Sequence, residues 1–269
     1  MTAVTEIWTY RNLIWNLAQR ELRARYKKSI LGWLWSLINP ASMLLIYTVV
    51  FGTFLKGIAP PLGNGDEGIF ALYLFAGLYL WNFFNGTVTG AIAALQAGGL
   101  LNKVYFPAAC PAIANTLTVL LQAFIEAGIL LVVMLILGNV GWTLVLFFPL
   151  IVMVMLFGMG IGLFLSIYNI YYRDVGYLVG IGMQVWFYAT PIVYSLDGNV
   201  PEKIGAVPIE KIIRLNPLTQ FVEWSRDAFY LLRWPGLPTT VGLIAVSVVT
   251  FLVGATVFNR KSRLITEEL

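Results

Sequence analysis

Long apolar runs alternate with short polar stretches along this chain. A helix needs about 20 mainly apolar residues to cross a hydrocarbon layer roughly 30 Å thick. Six segments suit that length: 32–55, 69–95, 112–137, 142–170, 175–194 and 239–258. Five of them contain no Asp, Glu, Lys or Arg, and the third carries Glu126 near its middle. A charge at mid-span costs about 3 kcal/mol, while each surrounding Leu, Ile, Val or Phe returns about 0.3–0.6 kcal/mol, so the third segment still inserts. The predicted fold class is therefore all-α integral membrane. Residues 32–258 form a six-span transmembrane domain, between a cytoplasmic arm 1–31 and a cytoplasmic tail 259–269.

The stretches outside the spans carry their own patterns. In residues 7–26 the apolar positions Ile7, Tyr10, Leu13, Ile14, Leu17, Ala18, Leu22 and Tyr26 recur at helical spacing, with Arg11, Gln19, Arg20, Arg23 and Arg25 mostly between them. That is a basic amphipathic helix at the inner membrane surface, and periodicity alone favours a simple anchor on anionic lipid. Trp15 falls off the main stripe. Residues 195–238 are too long and too patterned for a plain loop. Pro208 to Leu215 can make a short helix. Asn216-Pro217 reads as an N-cap with proline in the first helical position, and Glu223 and Arg226 can pair at i, i+3 in the helix that follows. Leu218, Phe221, Val222, Ala228, Phe229, Leu231 and Leu232 share its apolar face, and Pro235 and Pro238 stop it before the last span. Some 44 residues cannot bury an independent core, so these are short outer helices that lie in the interface or re-enter the membrane. The cytoplasmic stretch 96–111 has room for one short helix. In Tyr172-Arg173-Asp174, Asp174 can cap the next helix while Arg173 obeys the charge rule.

Composition narrows the chemistry. The 269 residues are 59% hydrophobic and 11% charged, against roughly 45–50% and 25% for soluble domains. There is no His, which excludes a Ser-His-Asp triad and histidine metal sites, and the single Cys110 cannot form an intrachain disulfide. Eleven of the seventeen Lys and Arg fall on the side of the N-terminus and six on the other, which places both termini in the cytoplasm. No G-x-x-x-x-G-K-[ST] phosphate cradle occurs. Gly158-Met159-Gly160-Ile161-Gly162 lies inside a span, and Gly176 and Gly180 form a second small-residue pair; both read as close helix packing. Glu126 is the one intramembrane ionisable group. Without an ionisable partner in the spans it reads as a structural residue that contacts Asn115, Gln122 or another helix. The aromatic content, 14%, is explained first by belts at the lipid headgroups, with sugar stacking as the sharper alternative.

Four ordered motifs go further. The run Arg20-Glu21-Leu22-Arg23-Ala24-Arg25-Tyr26-Lys27-Lys28-Ser29-Ile30-Leu31-Gly32-Trp33-Leu34-Trp35-Ser36-Leu37-Ile38-Asn39-Pro40 is followed by Lys103-Val104-Tyr105-Phe106-Pro107 with Pro111. Tyr172-Arg173-Asp174 comes next, then Thr190-Pro191-Ile192-Val193-Tyr194 with Asn216-Pro217-Leu218-Thr219. In order and spacing this resembles the ABC-2 type permeases that export polysaccharides, the Wzm and TagG type subunits. The resemblance implies a homodimer bound to two copies of a separate ATPase, which would hold ATP and Mg, so the chain itself needs no cofactor and is not an enzyme. It implies a lipid-linked glycan as substrate (O antigen, capsule, teichoic acid or galactan), the bacterial plasma membrane as location, and no nucleic-acid partner. Arg20, Arg23, Arg25, Tyr26, Lys27, Lys103, Val104, Tyr105, Phe106 and Pro107 would meet the ATPase, with Arg173 and Asp174 in a second contact. Trp33, Tyr47, Tyr73, Tyr79, Trp81, Phe83, Phe84, Trp186 and Tyr188 would line the glycan channel. The competing expectations are an ABC-2 exporter of a drug or small lipid, and a proton-coupled transporter using Glu126.

Overall fold

The computed structural model describes residues 7–25, 27–54, 57–96, 107–172, 174–196 and 208–268, and the side chains of all of these but 95, 96 and 263–268. The elements in order are α1 (Arg11–Arg25), a 3-10 turn (Gly32–Leu34), α2 (Trp35–Tyr47) with a π-helical extension (Thr48–Phe54), α3 (Phe70–Gln96) and α4 (Ala109–Ile136). A second 3-10 turn (Trp142–Leu146) leads into α5 (Phe147–Tyr171), followed by α6 (Val175–Tyr188), α7 (Ile209–Leu215), α8 (Pro217–Phe229) and α9 (Leu237–Glu268). Among the described residues every regular element is helical, because in lipid only a helix or a closed barrel satisfies its own backbone.

Among the described residues four stretches are long and apolar enough to cross a membrane: Gly32–Phe54, Ala109–Ile136, Trp142–Tyr171 and Leu237–Ser262. The helix α3 has the length, 27 residues, but carries Asn82, Asn85, Thr87 and Thr89. It packs against α2, α4, α5, α6 and α8; its Thr87 is buried and bonds to the Phe83 carbonyl, while Asn82, Asn85 and Thr89 lie on its less covered side, where Asn82 donates to Glu126 and Thr89 to the Asn85 carbonyl. The fifth segment departs from expectation. Instead of running through 175–194, α6 stops at Tyr188 after 14 residues, about 21 Å. Pro191 has no N–H to continue the helix, and the Thr190 hydroxyl turns back to the Trp186 carbonyl at 2.8 Å. The last helix also begins earlier than its apolar run, with Pro238 inside its first turn, where a missing N–H costs nothing.

Helix α5 packs through its glycines on two sides. Gly158 and Gly162 face α3 at Phe84, Thr87, Val88 and Ala91, while Gly160 faces α9 at Thr250, Phe251 and Gly254. At the α5–α9 crossing, a Cβ on Gly160 or Gly254 would overlap the other helix's backbone. Gly180 behaves otherwise: nothing in the protomer lies near its missing Cβ, so it does not serve helix packing within this chain.

Gly254→Val overpacks this crossing and costs about 3 kcal/mol. In detergent thermal unfolding its Tm falls by several degrees, whereas Gly242→Ala, which projects into open space, leaves Tm unchanged or slightly raised.

Candidate functional site: a basic face, an aromatic interior and a polar clasp

The basic arm is docked on protein rather than laid on lipid. Ile14 and Ala18 of α1 are buried against Cys110 and Ala114 of α4, with Ile7, Tyr10, Leu13 and Leu17 around them. Using the apolar stripe this way turns the cations outward: Arg11, Arg20, Arg23, Arg25 and Lys27 are exposed. Trp8 and Trp15 stay 70% and 58% exposed, and the Arg11 guanidinium stacks over Trp8 at 5.3 Å. Burial holds the Glu21 carboxyl above its ordinary value of 4.5, against the lowering pull of Arg25 and a hydrogen bond to Thr118. Between α1 and α2, Lys28 and Gly32 adopt left-handed backbone, with φ of 63° and 50°, so the chain turns sharply there.

Pro107 is half-buried where α4 begins, its carbonyl accepting from the Cys110 N–H at 2.9 Å. Asp174 is exposed at the head of α6 and does not cap it. The cap comes from α5, where Asn169 Oδ1 accepts the Gly176 N–H at 2.7 Å. Tyr26, Lys103, Val104, Tyr105, Phe106 and Arg173 lie outside the described residues.

The nine candidate channel aromatics separate into two groups. Tyr73, Tyr79, Trp81, Phe83 and Phe84 are buried inside the protomer. Phe84 stacks on Phe157 at 5.5 Å and meets Trp186 edge-on at 5.3 Å, Trp81 packs on Phe187, and the Tyr79 hydroxyl pairs with Ser225 at 3.1 Å. In this arrangement those five rings are core and not wall, because α3 is enclosed by its own chain. Trp33 and Tyr188 are 51% and 68% exposed, and Tyr47 and Trp186 are half-buried. An apolar cavity of about 550 Å³ opens between α5 and α6, bounded by Ile161 and Leu165 on one side and Val179, Met183 and Trp186 on the other.

A polar clasp closes the outer end. Arg226 of α8 is fully buried, and its guanidinium donates to the Tyr73 carbonyl at 3.2 Å, the Ile192 carbonyl at 3.0 Å and the Glu223 carboxylate at 2.7 Å, lying 3.8 Å over the Tyr73 ring. The expected Glu223–Arg226 pair thus exists and also ties α8 to α3 and to the break after α6. Asn216 caps α8 as expected: its Oδ1 accepts from the Leu218 N–H at 3.1 Å and from Trp186 Nε1 at 2.9 Å. Near the α4–α5 turn, Asn139 Nδ2 donates to the carbonyls of Phe229 and Tyr230. The Tyr230 hydroxyl donates to the Pro60 carbonyl and accepts the Ile69 N–H, both at 2.9 Å. Within the bundle, Glu126 accepts from Asn82 of α3 at 3.0 Å and from Gln122 at 3.3 Å. Asn115, its other expected contact, donates instead to the Gly86 carbonyl at 3.3 Å.

The profile of the ABC-2 type transporter family matches residues 12–230, which covers the arm, the bundle and the clasp. The chain belongs to the ABC-2 type transporter family. It is 30% identical to the O-antigen export system permease protein RfbA of Myxococcus xanthus, over 99% of this chain and 98% of that one. It is 27% identical to the protein of the same name from Klebsiella pneumoniae, over 91% and 90%. It is 25% identical to the polysialic acid transport protein KpsM of Escherichia coli, over 78% of each.

For this ABC-2 chain the pattern reading missed that Arg226 is interior. The signal was present: Arg226 follows Val222 by four and precedes Phe229 by three, which puts it on the apolar face of α8. The capping role of Asn169 carries no local signal, since its partner lies beyond the end of its own helix.

Two outcomes follow for the ABC-2 bundle. Glu223→Leu leaves the Arg226 cation without its carboxylate and costs about 3 kcal/mol, read as a lowered Tm, whereas Glu223→Asp recovers part of the loss. Glu21→Gln tests the sign at the arm. A raised native pKa means wild-type stability is fully present below about 4.5 and is lost as pH rises through the native value. The variant therefore matches wild type near pH 4, and its advantage in proteolytic protection of α1 grows towards pH 8.

Proposed function

We propose that this chain is the permease subunit of an ATP-driven exporter that moves a lipid-linked polysaccharide across the bacterial plasma membrane. The observation that carries the reading is end-to-end similarity, 98–99% coverage, to a permease named for O-antigen export, supported by the polysialic acid transport relative. In this reading α3 and α6 complete six spans, both termini are cytoplasmic, and α7 and α8 form an outer re-entrant hairpin that supplements the short α6.

The chain acts as a homodimer on two copies of an ABC ATPase, which hold ATP and Mg; the absence of a phosphate cradle in this sequence agrees with that division. The ATPase meets the outward cations of α1, namely Arg20, Arg23, Arg25 and Lys27 with Tyr26, together with Lys103 to Pro107. Arg173 and Asp174 make the second contact. Nucleotide shifts the permease only so far as its closed ATPase dimer prefers one arrangement of these surfaces over another. The glycan passes between protomers, along Trp33 of the 3-10 turn, Tyr47 of α2 and Trp186 and Tyr188 of α6, while the rings of α3 stiffen the wall from behind. The lipid carrier enters from the inner leaflet.

Co-purification with the ATPase encoded beside it, followed by ATP hydrolysis in lipid with and without the permease, tests this. The expected result is a stable complex whose hydrolysis changes when Lys103 and Tyr105 are replaced by Glu and Ala. A folded permease that binds no ATPase refutes the reading and returns attention to a proton-coupled route through Glu126, which Glu126→Gln would then stop.

A further inference from the structure

Five residues spaced four apart on α4, Cys110, Ala114, Thr118, Gln122 and Glu126, form one ridge along the helix. The N-terminal unit rides on that ridge. Ile14 and Ala18 of α1 pack on Cys110 and Ala114, and the Thr118 hydroxyl, one turn further along, donates to the Asn115 carbonyl within α4. One turn further along, Gln122 Nε2 donates to the carbonyl of Ser36 in the first turn of α2 at 3.2 Å.

Ser36 is the position where a donor is missing. Pro40 lies inside α2, and proline has no N–H for the carbonyl four residues before it. Ser36 and Pro40 are both buried, so water does not replace that donor, and an unmet carbonyl in an apolar setting is costly. The Gln122 amide faces the Glu126 carboxyl at 3.3 Å, and the other Glu126 oxygen accepts from Asn82 of α3 at 3.0 Å. Glu126 thus sets which way the Gln122 donors point. The Ser36 hydroxyl donates to the Trp33 carbonyl at 2.7 Å, fastening the 3-10 turn to the same spot.

We propose that Gln122, oriented by Glu126, is a positioning residue of the transport cycle: it grips the first span at the carbonyl exposed by Pro40, so that α4 carries α1 and α2 as one body. The helix α4 starts at Ala109, within the 96–111 stretch, so a push received there reaches the first span through this grip. The backbone turns sharply at Lys28 and Gly32, so α1 and α2 are not one continuous helix, and the common ridge on α4 is what both of them touch. The inference rests on the reading of the chain as an ATP-driven permease.

Spin labels placed at Leu45→Cys on α2 and Val132→Cys on α4, both exposed positions, in a Cys110→Ala background, report the grip in nanodiscs. In the permease alone, Gln122→Leu raises the population of detached α2 roughly tenfold. Adding Pro40→Ala to Gln122→Leu restores the wild-type distance distribution, because an alanine at that position gives the Ser36 carbonyl its own helical donor. Glu126→Leu detaches α2 as well, and Glu126→Gln, which keeps an acceptor oxygen, recovers most of the contact. A third label, at Trp15→Cys on α1, is then followed in the complex with its ATPase: nucleotide moves labels 15 and 45 together in wild type and separately in Gln122→Leu. An undisturbed distribution in Gln122→Leu, or a double variant no better than the single, overturns the grip. An intact grip in a wild-type complex that shows no nucleotide response overturns the role in transport and, with it, the permease reading.

Discussion

Inside a hydrocarbon slab no water is available to a backbone group that loses its helical partner, and that constraint organises this molecule. At several points where a helix breaks, starts or ends, an amide or guanidinium side chain answers the freed group. Gln122 answers the Ser36 carbonyl opposite Pro40, and Arg226 answers Ile192 after the break at Thr190-Pro191. Asn216 donates to the Thr190 hydroxyl at 3.0 Å and caps α8, Asn139 answers the end of α8, and Asn169 answers the start of α6. The bonds of Gln122, Arg226 and Asn139 join elements that are distant in sequence. The irregularities that would otherwise weaken a membrane bundle are therefore the points at which it is cross-linked.

The same constraint explains the placement of polar and aromatic residues on α3. A helix facing lipid on all sides could not carry two Asn and several hydroxyls cheaply. Enclosed by five neighbours, α3 passes its Asn82 to Glu126 and its Tyr79 to Ser225, and the Thr87 and Thr89 hydroxyls bond back to their own helix at 2.8 and 2.7 Å. Its rings fill the gaps between α5, α6 and α8. While α3 turns much of its aromatic surface inward, many apolar residues of α2 and α6 remain exposed among the described residues, Leu45 and Ile46 on α2 and Leu178, Ile181 and Val185 on α6 among them.

Much of this was legible from spacing alone. The four long apolar helices, the Asn216-Pro217 cap, the Glu223–Arg226 pair and the close packing of Gly158, Gly160 and Gly162 all follow from local rules whose partners lie within a turn or on one face. What escaped depends on tertiary geometry. Whether an aromatic on α3 meets lipid, lumen or protein is decided by how many helices surround it, and no periodicity in residues 69–95 encodes that number. The stripe on α1 is apolar as its spacing requires, but its partner is α4 instead of lipid, because a stripe states what it needs and not what supplies it. The early stop of α6 was written in Pro191, yet the apolar run through Tyr194 outweighed it.

The short α6 and the clasp belong to one design. At about 21 Å, α6 falls short of a layer roughly 30 Å thick. The shortfall sits on the outer side, where α8 starts beside Trp186 and ends near the α4–α5 turn at Asn139. A helix standing in that gap must be held sideways, since neither of its ends continues into a span of its own. Arg226 supplies the hold by bonding at once to α3 and to the residues that follow α6, with the Tyr73 ring beneath it. A lysine would deliver the charge but not the planar fork that reaches two carbonyls and a carboxylate together. Arg226 is consequently the buried centre of a set of cross-links that also includes Asn139, Thr143 and Ser225. Moving α8 relative to α3 requires the geometry of Arg226 to change, because its guanidinium bonds directly to the Tyr73 carbonyl.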